Sequence, residues 1–224
     1  GIVFMNSKSG PDFNLTREQM YKATAKEVPV GGKLVPNPYK NWSDVDPSLP
    51  KEPILVYGPA PNHGTRDAYV ELVLDPACEK QPEIKALDKP ARKKACQTVR
   101  EDGAWVEVSE NYTVIQQKIT SNPAALGVIT FSYLDQNRDK AKAAPVDGVV
   151  ATYDNIASNK YPVSRPLFFY IKKQHVGMVP GIKEYVAEFT SEKAWGKEGY
   201  LAEKGLISSP DATRKEQAAN ARNL

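Results

Sequence analysis

Histidine and cysteine are scarce: the 224-residue chain holds two of each. His63 and His175 lie far apart, and with only Cys78 and Cys96 beside them they lack the spacing of a metal site. No G-x-S-x-G elbow, H-E-x-x-H pair or P-loop lysine occurs, so the usual anchors of hydrolysis and nucleotide chemistry are missing and no enzyme or cofactor is expected. No stretch approaches the roughly 18 consecutive apolar residues of a membrane span. Charge of one sign is also lacking. The net charge is only +3, with lysines and arginines interspersed among acids, which excludes the basic stripe of a nucleic-acid surface. Neither an internal repeat nor a low-complexity tract is present. No secretory signal is visible, and the opening Gly1-Ile2-Val3-Phe4-Met5 reads as a buried strand; the expectation is a mature fragment, or a chain whose first part is missing from this sequence.

What is present suits a folded domain. The chain is 41% hydrophobic and 25% charged, which allows a sizeable core in one large domain or two modest ones. Cys78 and Cys96 flank a lysine-rich excursion. An even, minimal count suits one disulfide in an oxidising compartment, with two separate buried thiols as the alternative.

Strand-like and helix-like segments alternate, which argues for α/β architecture. After the first strand, Thr16-Arg17-Glu18-Gln19 is a capping-box pattern, predicting a helix through about Lys26. Residues 29–52, rich in proline and carrying Gly31-Gly32 and Trp42, read as an ordered surface excursion. Ile54-Leu55-Val56-Tyr57 predicts a buried strand, residues 113–121 a helix with Val114, Ile115 and Ile119 inward, and residues 126–133 another strand. The apolar run PLFFYI, residues 166–171, has strand length. Ile182, Tyr185, Val186 and Phe189 fall on one helix face. Ser209-Pro210-Asp211 starts a last, surface helix, with the proline at its first helical position.

The chemically informative segment is YGPAPNHGTRDAYV, residues 57–70. A strand enters a loop rich in glycine and proline, and a helix begins near Thr65. The first helical turn offers backbone N–H groups without internal partners, and the helix dipole adds positive charge, so an anion is stabilised there. Gly64 lets the backbone approach a ligand, the Thr65 hydroxyl can donate, and Arg66 presents a planar fork suited to a tetrahedral oxyanion. His63 is a further contact, and Asp67 would orient Arg66. An ordinary capped helix, with Arg66 paired on the surface, is the alternative from the residues alone. His63 beside Thr65 and Asp67 also invites an acid–base reading, but no catalytic motif accompanies it. His175 reads as a surface residue.

HGTRDAYV followed by Glu71-Leu72-Val73-Leu74 resembles the phosphate-binding family of periplasmic proteins, components of phosphate ABC importers. So do NWSD (41–44), PSLP (47–50), REDGAWVE (100–107), LDQNRDK (134–140), YPVSRPL (161–167) and EFTSEKAWG (188–196), which together span nearly the whole chain. The resemblance implies a two-lobed α/β fold with a hinge that closes over a dehydrated oxyanion, here with one lobe incomplete. It places residues 1–163 in the second lobe. Residues 164–224 would cross the hinge and complete the first lobe with PLFFYI and the terminal helices. The family's N-terminal third, with its other ligand loop, is absent, so a missing N-terminal segment or a partner chain would supply the remainder. The implied partners are inorganic phosphate or a related oxyanion and the membrane subunits of an ABC permease, and the implied location is periplasmic or extracellular.

Two departures touch the ligand. The family's Thr-Ser-Gly-Thr-Arg-Asp loop has Asn62 and His63 at its first two positions here, so a small hydroxyl donor becomes an imidazole. Tyr112, in Ser109-Glu110-Asn111-Tyr112-Thr113, stands where the family favours a small polar or acidic residue. These changes fit either a tolerant phosphate binder or a relative with altered or lost ligand, serving another oxyanion or an extracellular structural or assembly role.

Overall fold

The computed structural model describes residues 1–108 and 111–223. The chain divides into two compact units, residues 1–151 with 161–164, and residues 152–160 with 165–224.

The first unit is built on a five-stranded sheet. Its strands are β1 (Ile2–Ser7), β4 (Val56–Pro59), β5 (Trp105–Val108), β6 (Leu126–Thr130) and β7 (Ala141–Ala143), in the order β5-β4-β6-β1-β7. A separate hairpin pairs β2 (Glu27–Val30) with β3 (Lys33–Pro36) through Gly31-Gly32, whose positive φ angles admit the tight reversal. β4 runs parallel to both β5 and β6, while β1 is antiparallel to β6 and β7. All six residues of β1 are buried, so its apolar run does not alternate; both faces of the sheet are covered there. Val3, Phe4 and Met5 are fully buried, each stabilising the fold by about 1.5–3 kcal/mol. The Tyr112–Ser121 helix lies over β6, where an added Cβ on Gly127 would sit 2.5 Å from the Ile115 side chain.

The capping box reads through as expected: Thr16 accepts from the Gln19 amide and Gln19 reaches back to the Thr16 amide, opening the Arg17–Thr24 helix. The anion-motif helix, Gly64–Tyr69, continues through a π-helical turn, Val70–Leu74, into Asp75–Cys78. At that far end the disulfide Cys78–Cys96 joins it to the Lys89–Gln97 helix, with both cysteines buried. Arg100, almost wholly buried, ties other parts together: it donates to the Ala23 and Tyr39 carbonyls and makes a two-point pair with Asp102.

Several boundaries move. The expected strand at residues 54–57 is shifted to Val56–Pro59, because pairing begins where the Val56 amide meets the Ala104 carbonyl. Residues 126–133 split into β6 and a Phe131–Asp135 helix that starts after Thr130. Trp42, expected on a surface excursion, is fully buried with its ring against Phe13. Val114 is only half-buried, so Ile115 and Ile119 carry the inward face.

In the second unit the helices Tyr153–Ala157, Ile182–Phe189, Glu192–Trp195 and Asp211–Arg222 form. Pro210 is the residue before the last helix rather than its first. Arg214 anchors that helix through Glu192, Asp211 and the Ser209 carbonyl. PLFFYI departs from expectation. Residues 166–171 form no strand, and Leu167, Phe168 and Tyr170 are exposed. A strand needs a hydrogen-bonded neighbour, and among the described residues no strand lies beside this run.

Two predictions follow from these ties. Replacing Cys78 and Cys96 by alanine should lower unfolding stability by roughly 3 kcal/mol, the loop-closure entropy of the closed segment, read from urea midpoints. The Arg100 hydrogen bonds hold the Asp102 carboxyl well below the usual carboxylate range. A carboxyl lowered by folding adds stability above its unfolded value, and that stability is lost as pH falls towards the folded value. Asp102→Asn should therefore cost about 1 kcal/mol or less at neutral pH, given the partly exposed carboxylate, with the gap closing below about pH 4.

Candidate oxyanion site

The site is assembled from the end of β4 outward. An added Cβ on Gly58 would sit 1.9 Å from the Trp105 ring, so only glycine lets β5 lay that indole on its neighbour strand. Tyr69 stacks on Trp105 at 5.1 Å, and the Arg66 guanidinium lies 5.1 Å from the same indole. Trp105 and Glu107 are two residues apart on β5 and so point to the same face. Arg66 Nη1 donates to Glu107 Oε1 at 3.3 Å and to the Pro59 carbonyl at 3.1 Å. The side chain is 9% exposed, so Arg66 is a held, nearly buried cation.

This corrects the role expected of Asp67. Asp67 is exposed, and the carboxylate on Arg66 belongs to Glu107. Adjacent helical residues diverge by about 100°, so a neighbour in sequence is poorly placed to hold the fork. Glu107 and Trp105 were not singled out from the sequence. Their signal was the W-x-E spacing in a strand, which places both on one face, but which face meets Arg66 depends on the register of β4 and β5.

At the helix start, His63 has extended backbone angles and caps the helix: its Nδ1 accepts from the Thr65 amide at 3.0 Å. The His63 carbonyl accepts from the Arg66 and Asp67 amides at 2.8 and 3.3 Å. Among the described residues the Gly64 amide has no acceptor, and apart from its chain neighbours and the helix's own backbone nothing lies within 4 Å of where a Gly64 Cβ would be. Thr65 is buried, and its hydroxyl lies 3.0 Å from that of Tyr112. Tyr112 also meets His63 edge-on at 6.2 Å and Tyr133 at 5.5 Å. His63, Thr65 and Tyr112 therefore form one cluster, with Gly64 open beside them. Ser109 and Glu110 of the expected ligand-facing loop lie outside the described residues.

A shallow hollow on the other flank is lined by Arg66, Asp67, Glu71 and Asp75. Burial raises the Asp75 carboxyl, partly offset by a hydrogen bond from Gln97. Three carboxylates give this hollow the wrong sign for an oxyanion, so the anion reading stays with Gly64. No helix among the described residues is long and apolar enough to cross a membrane.

Residues 1–193 match the PBP superfamily domain. The chain belongs to that family. It is 28% identical over 183 residues to the phosphate-binding protein PstS of Staphylococcus haemolyticus, covering 80% of this chain and 49% of the relative. PstS of Staphylococcus saprophyticus is 26% identical over 208 residues, covering 91% of this chain and 53% of the relative. The chain thus spans about half the length of these curated relatives. A possible phosphate binding protein from Planctomyces limnophilus has the same fold, with TM-score 0.67 and 22% identity, over 99% of this chain and 69% of that one. So does a Clostridium perfringens substrate-binding protein, assigned to phosphate ABC transport and solved with bound phosphate. Its TM-score is 0.61 at 23% identity, over 94% of this chain and 69% of that one. The α/β architecture is that of these two proteins.

The Trp105 platform is testable. Gly58→Ala should destabilise the fold by about 1–3 kcal/mol through overpacking. It should also shift the tryptophan fluorescence; an unchanged melting temperature would mean that the indole does not rest on β4.

Proposed function

We propose that the chain is the oxyanion-capturing part of an extracytoplasmic solute-binding protein serving an ABC importer, with inorganic phosphate as the ligand. The observation that carries this reading is the start of the Gly64–Tyr69 helix. Among the described residues the Gly64 amide has no acceptor and the space beside it is open, and the motif around it resembles that of a family with relatives named as phosphate-binding. Gly64 and Thr65 would contact the anion directly, Arg66 would supply positive charge from its Trp105 platform, and His63 would complete the rim. Arg66 stays paired with Glu107 in this role, so its charge is positioned without a side-chain search. Asp67 is left as a neighbour of the site.

Unit one corresponds in this reading to the family's second lobe, and the chain crosses the hinge near residues 163–165. Further contacts to the anion would come from chain that the longer relatives possess beyond the matched part, or from a partner chain. Permease subunits are the downstream partners, and the work is capture rather than conversion. The buried disulfide supports an oxidising, extracytoplasmic setting.

One observation favours a second reading, a relative with altered or lost ligand. His63 and Tyr112 already engage the Thr65 amide and hydroxyl, two donors that a phosphate would use. Calorimetric titration of the intact protein with phosphate, arsenate and sulfate separates the readings: micromolar phosphate binding supports transport, and no heat with any oxyanion supports the second. Arg66→Ala should weaken phosphate binding by more than about tenfold, with Arg66→Lys intermediate because the ammonium cannot reproduce the fork. Unchanged affinity in Arg66→Ala would move the site elsewhere.

A further inference from the structure

Residues 166–171, in the second unit, carry two unmet needs at once. Among the described residues, none of their backbone groups makes a hydrogen bond. Backbone N–H and C=O groups need partners, so here water or an added chain must supply them. The side chains argue against water. Successive side chains of an extended run point to opposite sides. Phe169 meets Phe189 and Tyr185 of the Ile182–Phe189 helix, at 4.4 and 6.4 Å between ring centres. Its neighbours Phe168 and Tyr170 are 68% and 89% exposed. Of the ten exposed large apolar side chains among the described residues, eight fall within residues 167–200, so the bare surface is concentrated here and not scattered over the chain.

A lipid bilayer would cover the rings but leave the backbone groups unpaired in hydrocarbon, which is costly. A second copy, pairing antiparallel through the same six residues, would set Arg165 opposite Lys172, like charge on like. A strand of different sequence meets both needs: it pairs with the backbone and lays alternate apolar side chains beside Phe168 and Tyr170. The surrounding charges select its ends. Residues 155–183 contain no aspartate or glutamate, and they include Lys160, Arg165, Lys172, Lys173 and Lys183. The complement is a segment with acidic flanks. The matched part covers 69% of each of the two solved chains of this fold, so each has further chain from which such a strand can come.

The geometry points to residues 166–171 as a strand template, completed by an extended apolar segment with acidic flanks that lies outside these 224 residues. The inference concerns the second unit alone and stands apart from the oxyanion reading.

The test uses the chain and a synthetic peptide of about eight residues, alternating valine and threonine between terminal glutamates. Strand addition works mainly through the backbone, so such a peptide stands in for the natural segment. Amides of residues 167–171 should exchange freely in the chain alone and should slow by about tenfold or more with the peptide present. The same peptide, N-methylated at alternate residues along its pairing edge, has no donors left for the ladder and should give no slowing. Tyr170→Pro removes one donor at an exposed position and should abolish the slowing with the melting temperature unchanged. Protected amides in the chain alone, no slowing with the peptide, or equal slowing with its N-methylated form each overturn the template. Two further measurements decide the occupant. A concentration-dependent dimer that Tyr170→Pro abolishes would give the surface to a second copy. Sedimentation with vesicles of phosphatidylcholine and phosphatidylglycerol that Phe168→Ser abolishes would give it to lipid. Either result overturns the proposal.

Discussion

The site depends on how Trp105 lies against β4. The indole can lie there only because residue 58 is glycine, and its surface then serves two neighbours, Tyr69 and the Arg66 guanidinium. A guanidinium on an aromatic surface is weakly hydrated and keeps its charge when nearly buried. Glu107, projecting from the same face of β5, supplies the carboxylate that such a charge needs. The chain of contact is therefore short: a small residue on one strand, a large ring on the next, a cation on the ring, and the start of a helix beside it. The far end of that helix is tied by Cys78–Cys96, so the turn at Gly64 is fixed from both directions.

The helix start itself is a balance between self-satisfaction and reception of a guest. In an unoccupied helix the first amides need acceptors, and here the His63 ring and carbonyl provide them for three of the four. Among the described residues, Gly64 is left without an acceptor. In the proposed role an anion would compete with the protein's own cap, which would lower affinity by whatever the cap is worth, about 1 kcal/mol for a good one. That competition distinguishes an imidazole from the smaller hydroxyl of the family pattern. It also explains why the residues support both phosphate capture and a changed ligand preference.

The second unit teaches a different lesson. PLFFYI has the composition of a buried strand, yet most of its large side chains are exposed and it is not paired. Composition reports a preference for a neighbour; it does not provide one. The aromatic contacts that do form there join Phe169 of this run to Phe189 at 4.4 Å, and Phe189 to Trp195 at 6.1 Å.

Local chemistry was legible in the sequence wherever one short segment contained its own partners. Thr16 and Gln19 cap each other three residues apart, the apolar run at residues 1–5 announced a buried strand, and HGTRD marked a helix start beside a glycine. What only the tertiary structure decided were relations between segments distant in sequence. Glu107 rather than Asp67 pairs with Arg66, Trp42 turns inward onto Phe13, and Tyr112 reaches Thr65. The physical reason is the same in each case: a side chain's nearest neighbour in space is set by strand register and helix packing, and neither is encoded in the few residues on either side of it.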